Sequence, residues 1–270
     1  MDSYAYGIIF AFGAVIGSFL NVVVYRYNTG LPLLRSRSMC FSCGKKLAWY
    51  ELVPLVSFLV QRGACRSCKS LISRQYIAVE FLTGALFALS AFFLLPENAS
   101  YGDILSLFYY WIILSLLTVI AVYDMRHKII PDGIVYAFIA LSLAAFFVPG
   151  GPELGARDML AAPVLFAPFA FLWAVSRGAW MGLGDAKLAW GMGWLLGLLP
   201  GISAVVIGFW IGAIVGLGIM LFDFVSAAVL GRRGGARLTM KSEIPFGPFL
   251  VLGTVLVLFF DVNVFSLSVS

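Results

Sequence analysis

The chain has 270 residues, of which 62% are hydrophobic and only 11% are charged, with a net charge of +5 and a mean hydropathy of +1.00. A soluble domain cannot bury so much apolar surface, so this composition indicates a multi-pass helical membrane protein. The apolar runs lack the alternating period of a transmembrane strand, which argues against a β-barrel.

The predicted fold is an all-α, polytopic membrane helix bundle with about eight spans, since a helix needs about 20 apolar residues to cross a bilayer. The spans lie near residues 7–25, 77–95, 104–122, 133–149, 159–175, 186–199, 202–221 and 247–266. We expect a retained first span over residues 1–25, a small cytoplasmic four-cysteine domain over 26–76 and a membrane-embedded bundle over 77–270. The sixth span is short and rich in glycine, and we expect it to turn at Pro200-Gly201.

The basic residues fix the predicted orientation. All 18 lysines and arginines except Arg157 fall on one side of these spans, and the positive-inside rule makes that side cytoplasmic. Both termini then face outward, and Asp124 and Asp185 lie at the cytoplasmic edge. Because topology already explains the basic loops, nucleic acid is not a predicted partner, whereas the lipid bilayer is.

All four cysteines lie in the first cytoplasmic loop as two CxxC pairs. They are Cys40, Cys43, Cys65 and Cys68. This spacing predicts a structural zinc site with four thiolate ligands, which would stabilise a segment too short to bury much core of its own. Two disulfides, free thiols or a redox CxxC are the alternatives, and a cytoplasmic location argues against disulfides.

Two aspartates stand out in a chain with few charges. Asp124 follows an apolar run, and Asp185 closes the tetrapeptide Gly182-Leu183-Gly184-Asp185. Buried carboxylates that meet can share one proton and activate a water, which is the chemistry of an aspartic protease. The alternative is that both are helix-end caps. The single histidine, His127, excludes an HExxH zinc protease, and no Gly-x-Ser-x-Gly elbow or P-loop is present.

The chain resembles the type IV prepilin peptidases, which are bifunctional leader peptidases and N-methyltransferases. The resemblance covers essentially the whole chain. It is carried by Gly17-Ser18-Phe19-Leu20-Asn21 with Arg26, by the cysteine loop through Glu80, by Tyr123-Asp124 through Pro131-Asp132, by Met181–Asp185 with Lys187, and by Ile244–Leu250. Many members have Asp-x-Asp-His where this chain has Asp124-Met125-Arg126-His127, so Asp124 is the only candidate carboxylate at that place.

The resemblance implies a GxGD aspartic peptidase in the bacterial inner membrane with periplasmic termini. Its catalytic residues would be Asp124 and Asp185, and its substrates would be type IV prepilins and pseudopilins of pilus and type II secretion systems. Such substrates carry a short basic leader and a glycine before the cut, followed by an apolar helix. A second activity would methylate the new amino terminus with S-adenosylmethionine.

The sequence also offers candidates for substrate binding and for the methyltransferase pocket. We expect the substrate-facing loops to include Gly182, Gly184, Arg126, Pro245, Gly247 and Pro248. Glycine would allow a substrate backbone to approach, although Pro245 and Pro248 also fit a plain helix start. The methyltransferase pocket has three candidates, Asn21, Arg26 and Glu80, which alternatively satisfy only one another and the membrane interface.

Two rival interpretations come from other classes. A presenilin-like GxGD intramembrane protease shares the aspartate motifs, but that family lacks the paired cysteines. A transporter or a non-catalytic scaffold of a secretion machine is the second rival. For a transporter we would expect broken or polar helices at mid-membrane in paired halves, whereas the polar residues here lie at one edge.

Overall fold

The structure is a computed structural model that describes residues 3–30, 32, 37–148, 155–230 and 245–264. Within these residues the regular structure is helical, with two isolated β-bridges, which confirms the all-α prediction. The α-helices are α1 (Ser3–Arg26), α2 (Val56–Val60), α3 (Arg74–Leu94), α4 (Tyr101–His127), α5 (Asp132–Ala144), α6 (Ala161–Ser176), α7 (Leu183–Leu196), α8 (Leu198–Leu230) and α9 (Gly247–Phe260). Short 3₁₀ helices cover Trp49–Glu51, Ala145–Phe147 and Ala156–Leu160.

Five stretches in the described part of the chain are long and apolar enough to cross a membrane. They are Tyr4–Arg26, Arg74–Leu94, Tyr101–His127, Arg157–Ser176 and Leu198–Phe222. The helices α5, α7 and α9 are shorter, at 13 or 14 residues each. The structure therefore agrees with a multi-pass membrane protein, while length alone identifies five spans. The predicted basic residues Arg35, Arg232, Arg233, Arg237 and Lys241, and the ends of predicted spans 133–149 and 247–266, lie outside the described residues.

One predicted boundary is wrong. The sixth span was expected to turn at Pro200-Gly201, but α7 ends at Leu196 and α8 begins at Leu198. Gly197 between them has a φ of +83°, which glycine adopts without a steric penalty. Pro200 is accommodated in the first turn of α8, where its missing N–H has no intrahelical partner to lose.

The chain divides into two compact units, and the first comprises residues 1–122 with 148–151. In this unit α1 packs along α3 at close range. A Cβ at Gly13 would lie 2.9 Å from the Gly84 Cα, and one at Gly17 would lie 2.9 Å from the Glu80 Cα. Small residues allow such an approach, which is a common way for membrane helices to associate.

The second unit comprises residues 123–147 with 152–270, and α7 is its central helix. This helix packs against α5, α6, α8 and α9. Leu188, Met192 and Leu195 are fully buried on it. A Cβ at Gly193 would lie 2.6 Å from the Ala162 backbone nitrogen, so glycine allows α6 to approach α7 closely. The motif Gly-x-Gly-Asp therefore opens the most enclosed helix of this unit.

Replacement of Gly13 by valine should destabilise the protein, because the added Cβ would meet the α3 backbone at 2.9 Å. We expect a loss of about 1–3 kcal/mol in the free energy of unfolding, as for other overpacked sites. Gly7→Val on the same helix is the matched control, since nothing lies within 4 Å of its Cβ position. Thermal unfolding in detergent measures both variants. Equal melting temperatures for the two would contradict the described packing of α1 on α3.

Candidate active site and metal centre

Asp124 lies near the end of α4 and is almost fully buried, with 5% of its surface exposed. Its Oδ2 atom accepts a hydrogen bond of 3.0 Å from the backbone N–H of Gly247. Gly247 is the first residue of α9, so this carboxylate faces the amino terminus of that helix. The positive end of the helix dipole stabilises a negative charge at that place. Two segments that are 123 residues apart in the sequence therefore meet at one carboxylate.

Asp185 lies in the first turn of α7 and is 9% exposed. Its backbone N–H donates to the carbonyl oxygen of Gly182 at 3.3 Å, which is part of the turn that opens the helix. The carboxyl groups of Asp185 and Asp124 are close enough to interact electrostatically. The structure thus brings together the two carboxylates that the sequence singled out. Two acids in such a setting favour a state in which one proton is shared between them.

Ile130, which follows the helix of Asp124, packs against the starts of α7 and α9. A Cβ at Gly184 would lie 2.8 Å from the Ile130 Cβ, and one at Gly247 would lie 3.4 Å from its Cδ1. The same added atom at Gly247 would lie only 2.7 Å from the Asp124 Oδ2. Glycine at 184 and at 247 therefore lets three chain segments converge on the carboxylates. Sequence reasoning missed Ile130, because an isoleucine after an apolar helix carries no signal of its own.

An ion pair ties the start of α5 to α7. The Lys187 Nζ lies 2.6 Å from the Asp132 Oδ1 and 4.8 Å from the centre of the Tyr136 ring. Lys187 follows Asp185 by two residues, so the contact holds the first turn of α7 against α5. Asp132 is the first residue of α5. The sequence offered one signal for this ion pair, which is a lysine two residues after a candidate catalytic aspartate in a chain with few charges.

The remaining substrate-loop candidates lie around the same helix ends. Gly182 is exposed at the cap position of α7, and Arg126 is exposed in the last turn of α4. Pro245 and Pro248 flank the Phe246-Gly247 start of α9 and are half-buried. Of these segments, the start of α9 contacts Asp124 through the Gly247 N–H, and a Cβ at Gly182 would lie 3.7 Å from the Asp185 Oδ2.

The three candidates for a methyltransferase pocket hydrogen-bond within the first unit. Asn21 is fully buried and donates to the carbonyl oxygens of Gly17 at 3.3 Å and of Tyr76 at 3.2 Å. Glu80 is 6% exposed and accepts the backbone N–H of Leu55 at 2.8 Å. The guanidinium of Arg26 is half-buried and donates to the Pro32 carbonyl oxygen at 2.9 Å.

The four cysteines form one cluster in which every sulfur lies within 4.8 Å of the others. Each CxxC pair sits in a tight turn, closed by the bridges Met39–Lys46 and Ala64–Leu71. The sulfurs of Cys40 and Cys68 are 3.8 Å apart. A tetrahedral zinc site with Zn–S bonds of about 2.3 Å separates its sulfurs by roughly 3.8 Å, so the spacing fits Zn²⁺. The four cysteines are free rather than joined in disulfides, as expected for a metal site.

The thiols differ in their electrostatic surroundings. The backbone N–H of Cys43, together with the Ser70 hydroxyl, lowers the pKa of Cys40 to about 6, and the same hydroxyl lowers the pKa of Cys68. For Cys43 the Lys45 backbone N–H lowers the pKa, but partial desolvation and the neighbouring thiols outweigh it and raise the pKa to about 11. A cation between the sulfurs would remove this repulsion between thiolates. Sequence reasoning missed Ser70, whose hydroxyl lies 3.1 Å from the Cys68 sulfur.

Two family descriptions match the chain in sequence. Residues 11–94 match the bacterial peptidase A24 N-terminal domain, and residues 111–217 match the type IV leader peptidase family. The first match contains the cysteine cluster, and the second contains Asp124 and Asp185. No solved structure shows significant similarity to the chain.

Individual relatives agree with these matches. A prepilin leader peptidase/N-methyltransferase of Bacillus subtilis (strain 168) is 32% identical over 259 residues, which is 96% of each chain. Proteins of the same name from Myxococcus xanthus (strain DK1622) and Klebsiella pneumoniae are 33% and 32% identical over 79% and 70% of this chain, and over 62% and 84% of their own lengths. The chain therefore belongs to the type IV leader peptidase family.

Removal of the Ser70 hydroxyl should weaken metal binding. Groups that hydrogen-bond to metal ligands typically contribute 10- to 100-fold in affinity, so we expect Ser70→Ala to lower zinc affinity by about tenfold. Ser42→Ala is the matched control, because it removes a hydroxyl from the first cysteine turn and keeps the backbone N–H. Competition with a chromophoric chelator measures both variants. No zinc in the purified protein, or equal affinity of both variants, would argue against this site.

Proposed function

We propose that this protein is a membrane aspartic endopeptidase that removes the leader of type IV prepilins and pseudopilins at the cytoplasmic membrane face. Methylation of the new amino terminus follows as its second reaction. Membership of the type IV leader peptidase family supports this proposal. The single observation that carries it is the convergence of Asp124 and Asp185, two nearly buried carboxyl groups from different helices.

Cleavage needs a water molecule and one proton shared between the carboxyl groups. In the proposed mechanism one aspartate is ionised and takes a proton from the water, which then attacks the scissile carbonyl carbon. The other aspartate is protonated and donates to the carbonyl oxygen. When the C–N bond then breaks, the first aspartate gives the proton it took from water to the leaving amine, and the second regains its proton from the hydroxyl that becomes the new carboxyl group. No acyl-enzyme forms, because water is the nucleophile. The Gly247 N–H holds Asp124 in place throughout.

The loops around the carboxylates would bind the substrate in an extended form. Gly182 is exposed at the start of α7, and Pro245 and Pro248 are half-buried at the start of α9, so these residues are the candidates for contact with the substrate backbone. Gly184 and Gly247 contribute indirectly, because they let Ile130 and the Asp124 carboxylate pack closely. Extended peptides suit such a site because their backbone groups are free to hydrogen-bond with it. Arg126, two residues after Asp124 and exposed in the last turn of α4, is a further candidate for contact with an acidic substrate group.

The cysteine domain would hold one Zn²⁺ through Cys40, Cys43, Cys65 and Cys68 in a structural role. Four thiolate ligands leave no open coordination position, so the metal takes no part in peptide cleavage. S-adenosylmethionine would supply the methyl group when it is bound. Asn21, Arg26 and Glu80 stay candidates for that pocket. Because their polar groups already hydrogen-bond within the protein, none of them is assigned a role in methyl transfer.

The proposed topology keeps eight spans in the bacterial inner membrane. The five long helices provide five of them, and α5, α7 and α9 would cross as short or tilted helices. Both termini would be periplasmic, with the basic loops, the cysteine domain and both aspartates on the cytoplasmic side.

Asparagine in place of either Asp124 or Asp185 should abolish leader removal. The amide keeps the shape of the carboxyl group but cannot accept or release the proton that the mechanism requires. Asp261→Asn is the matched control: Asp261 lies in the left-handed region with a φ of +47°, which asparagine tolerates well. Mass spectrometry of a co-expressed prepilin reports leader loss and methylation together. Cleavage by either Asp124→Asn or Asp185→Asn at the wild-type rate would refute the proposal.

Alanine at Gly247 should slow cleavage without unfolding the protein. Its Cβ would lie 2.7 Å from the Asp124 Oδ2, so the carboxylate must move. A displacement of about 1 Å at a catalytic group costs on the order of 100-fold in rate. Gly218→Ala is the control, since nothing lies within 4 Å of that Cβ position. Initial rates on purified prepilin in detergent measure the effect, and wild-type kinetics for Gly247→Ala would show that the contact is not needed for activity.

A further inference from the structure

The cysteine domain exposes a continuous apolar stretch that the peptidase chemistry does not use. Trp49, Val56, Leu59 and Val60 have 79%, 56%, 65% and 64% of their surfaces exposed. In α2 the positions 56, 59 and 60 have the spacing of one helix face. On another side of the same turn, the Phe58 ring packs against Gly63 inside the domain. Val56, Leu59 and Val60 therefore form one exposed apolar face of α2, and Trp49 adds an exposed ring in the same segment.

A hydrogen bond fixes the depth of this stretch relative to α3. The Glu80 Oε2 accepts the backbone N–H of Leu55 at 2.8 Å, and Leu55 has a φ of +61°, which is uncommon for a non-glycine residue. Glu80 lies six residues beyond Arg74, where α3 begins, so it is about 9 Å along that helix. The whole of α3 has the length and composition of one membrane span. Leu55 is therefore held beside α3 about 9 Å from the start of that helix, rather than beyond its end.

Charge on the same domain favours a lipid surface as the occupant of this face. Residues 37–73 contain six basic residues, which are Arg37, Lys45, Lys46, Arg62, Arg66 and Lys69. Glu51 is the single acidic residue in that segment, and it is buried against Lys45 at 3.3 Å. A basic domain repels a basic leader peptide and a second copy of itself. It attracts anionic lipid headgroups, because basic residues near a membrane surface are drawn to its negative potential.

We propose that Trp49–Val60 is an interfacial anchor that lies in the lipid surface beside α3 and attaches the cysteine domain to an anionic membrane leaflet. The apolar face enters the boundary between headgroups and acyl chains, as in amphipathic segments that lie in a membrane plane. Trp49 and Tyr50 have the ring type that is enriched at this boundary. The bond between Glu80 and Leu55 holds the anchor at its depth.

A photo-crosslinking experiment on the full-length protein tests the occupant directly. Benzoylphenylalanine replaces Leu59 on the apolar face in one variant and exposed Lys69 in the control variant. Both are reconstituted with prepilin in vesicles of phosphatidylglycerol and phosphatidylcholine, illuminated and analysed by mass spectrometry. We expect predominantly lipid adducts at position 59 and several times fewer at position 69. Equal lipid yields, or adducts at 59 that join the chain to prepilin or to a second copy, would overturn the proposal.

Protease access gives a second, independent measurement. Leu59→Gln should speed tryptic cleavage after Arg62 by about tenfold in vesicles that contain phosphatidylglycerol, because the variant loses the transfer energy of one leucine side chain. Met39→Gln is the control, since it removes an exposed apolar side chain of the first cysteine turn. The same rate of cleavage in Leu59→Gln and Met39→Gln vesicles would contradict an anchor at this place.

Discussion

The hydrogen bond between the Gly247 backbone and Asp124 is the interaction on which the proposed site depends. It joins the end of α4 to the start of α9 over 123 residues of sequence. The carboxylate can take this position because residue 247 has no side chain; a Cβ there would lie 2.7 Å from the accepting oxygen and would force it to shift. Asp185 comes close to Asp124 from the first turn of α7. Its neighbour Gly184 leaves room for the Ile130 side chain to pack against the start of that helix. The end of α4 and the starts of α7 and α9 therefore pack closely because residues 184 and 247 are glycines. The contact that positions Asp124 comes from the backbone N–H of Gly247.

Short helices explain how carboxylates come to lie at this edge of the second unit. Helices α5, α7 and α9 have 13 or 14 residues, too few to fill a bilayer without tilting or thinning it. In the proposed function, the loops and caps at their ends are where water and an extended peptide would enter. Polar backbone is tolerated at membrane depth only where it faces protein or such a cavity. Helix α7 is nevertheless closely packed, because Gly193 lets α6 approach it. The aspartates therefore lie at helix ends, next to a tightly packed helix.

Much of the site could be predicted because its chemistry conflicts with the composition of the chain. Asp124 and Asp185 are conspicuous in an apolar sequence. The cysteine spacing predicts a metal site, and the structure places the four sulfurs within 4.8 Å of one another, close enough to hold a metal ion. What sequence reasoning missed depends on tertiary packing. Ile130 and Ser70 have ordinary residue types for their places, and only distances reveal their contacts. The boundary at Gly197 was missed because proline and glycine at 200 and 201 gave a stronger local signal than the residue that actually turns.

An experimental structure of the full-length protein in lipid, at a resolution that shows ordered water, tests the central claim most directly. The account predicts that oxygens of Asp124 and Asp185 lie within roughly 5.5 Å of each other, close enough for one water to hydrogen-bond with both. It also predicts that the Gly247 N–H points at Asp124. Carboxyl groups held beyond the reach of a common water, both with and without bound prepilin, would contradict it.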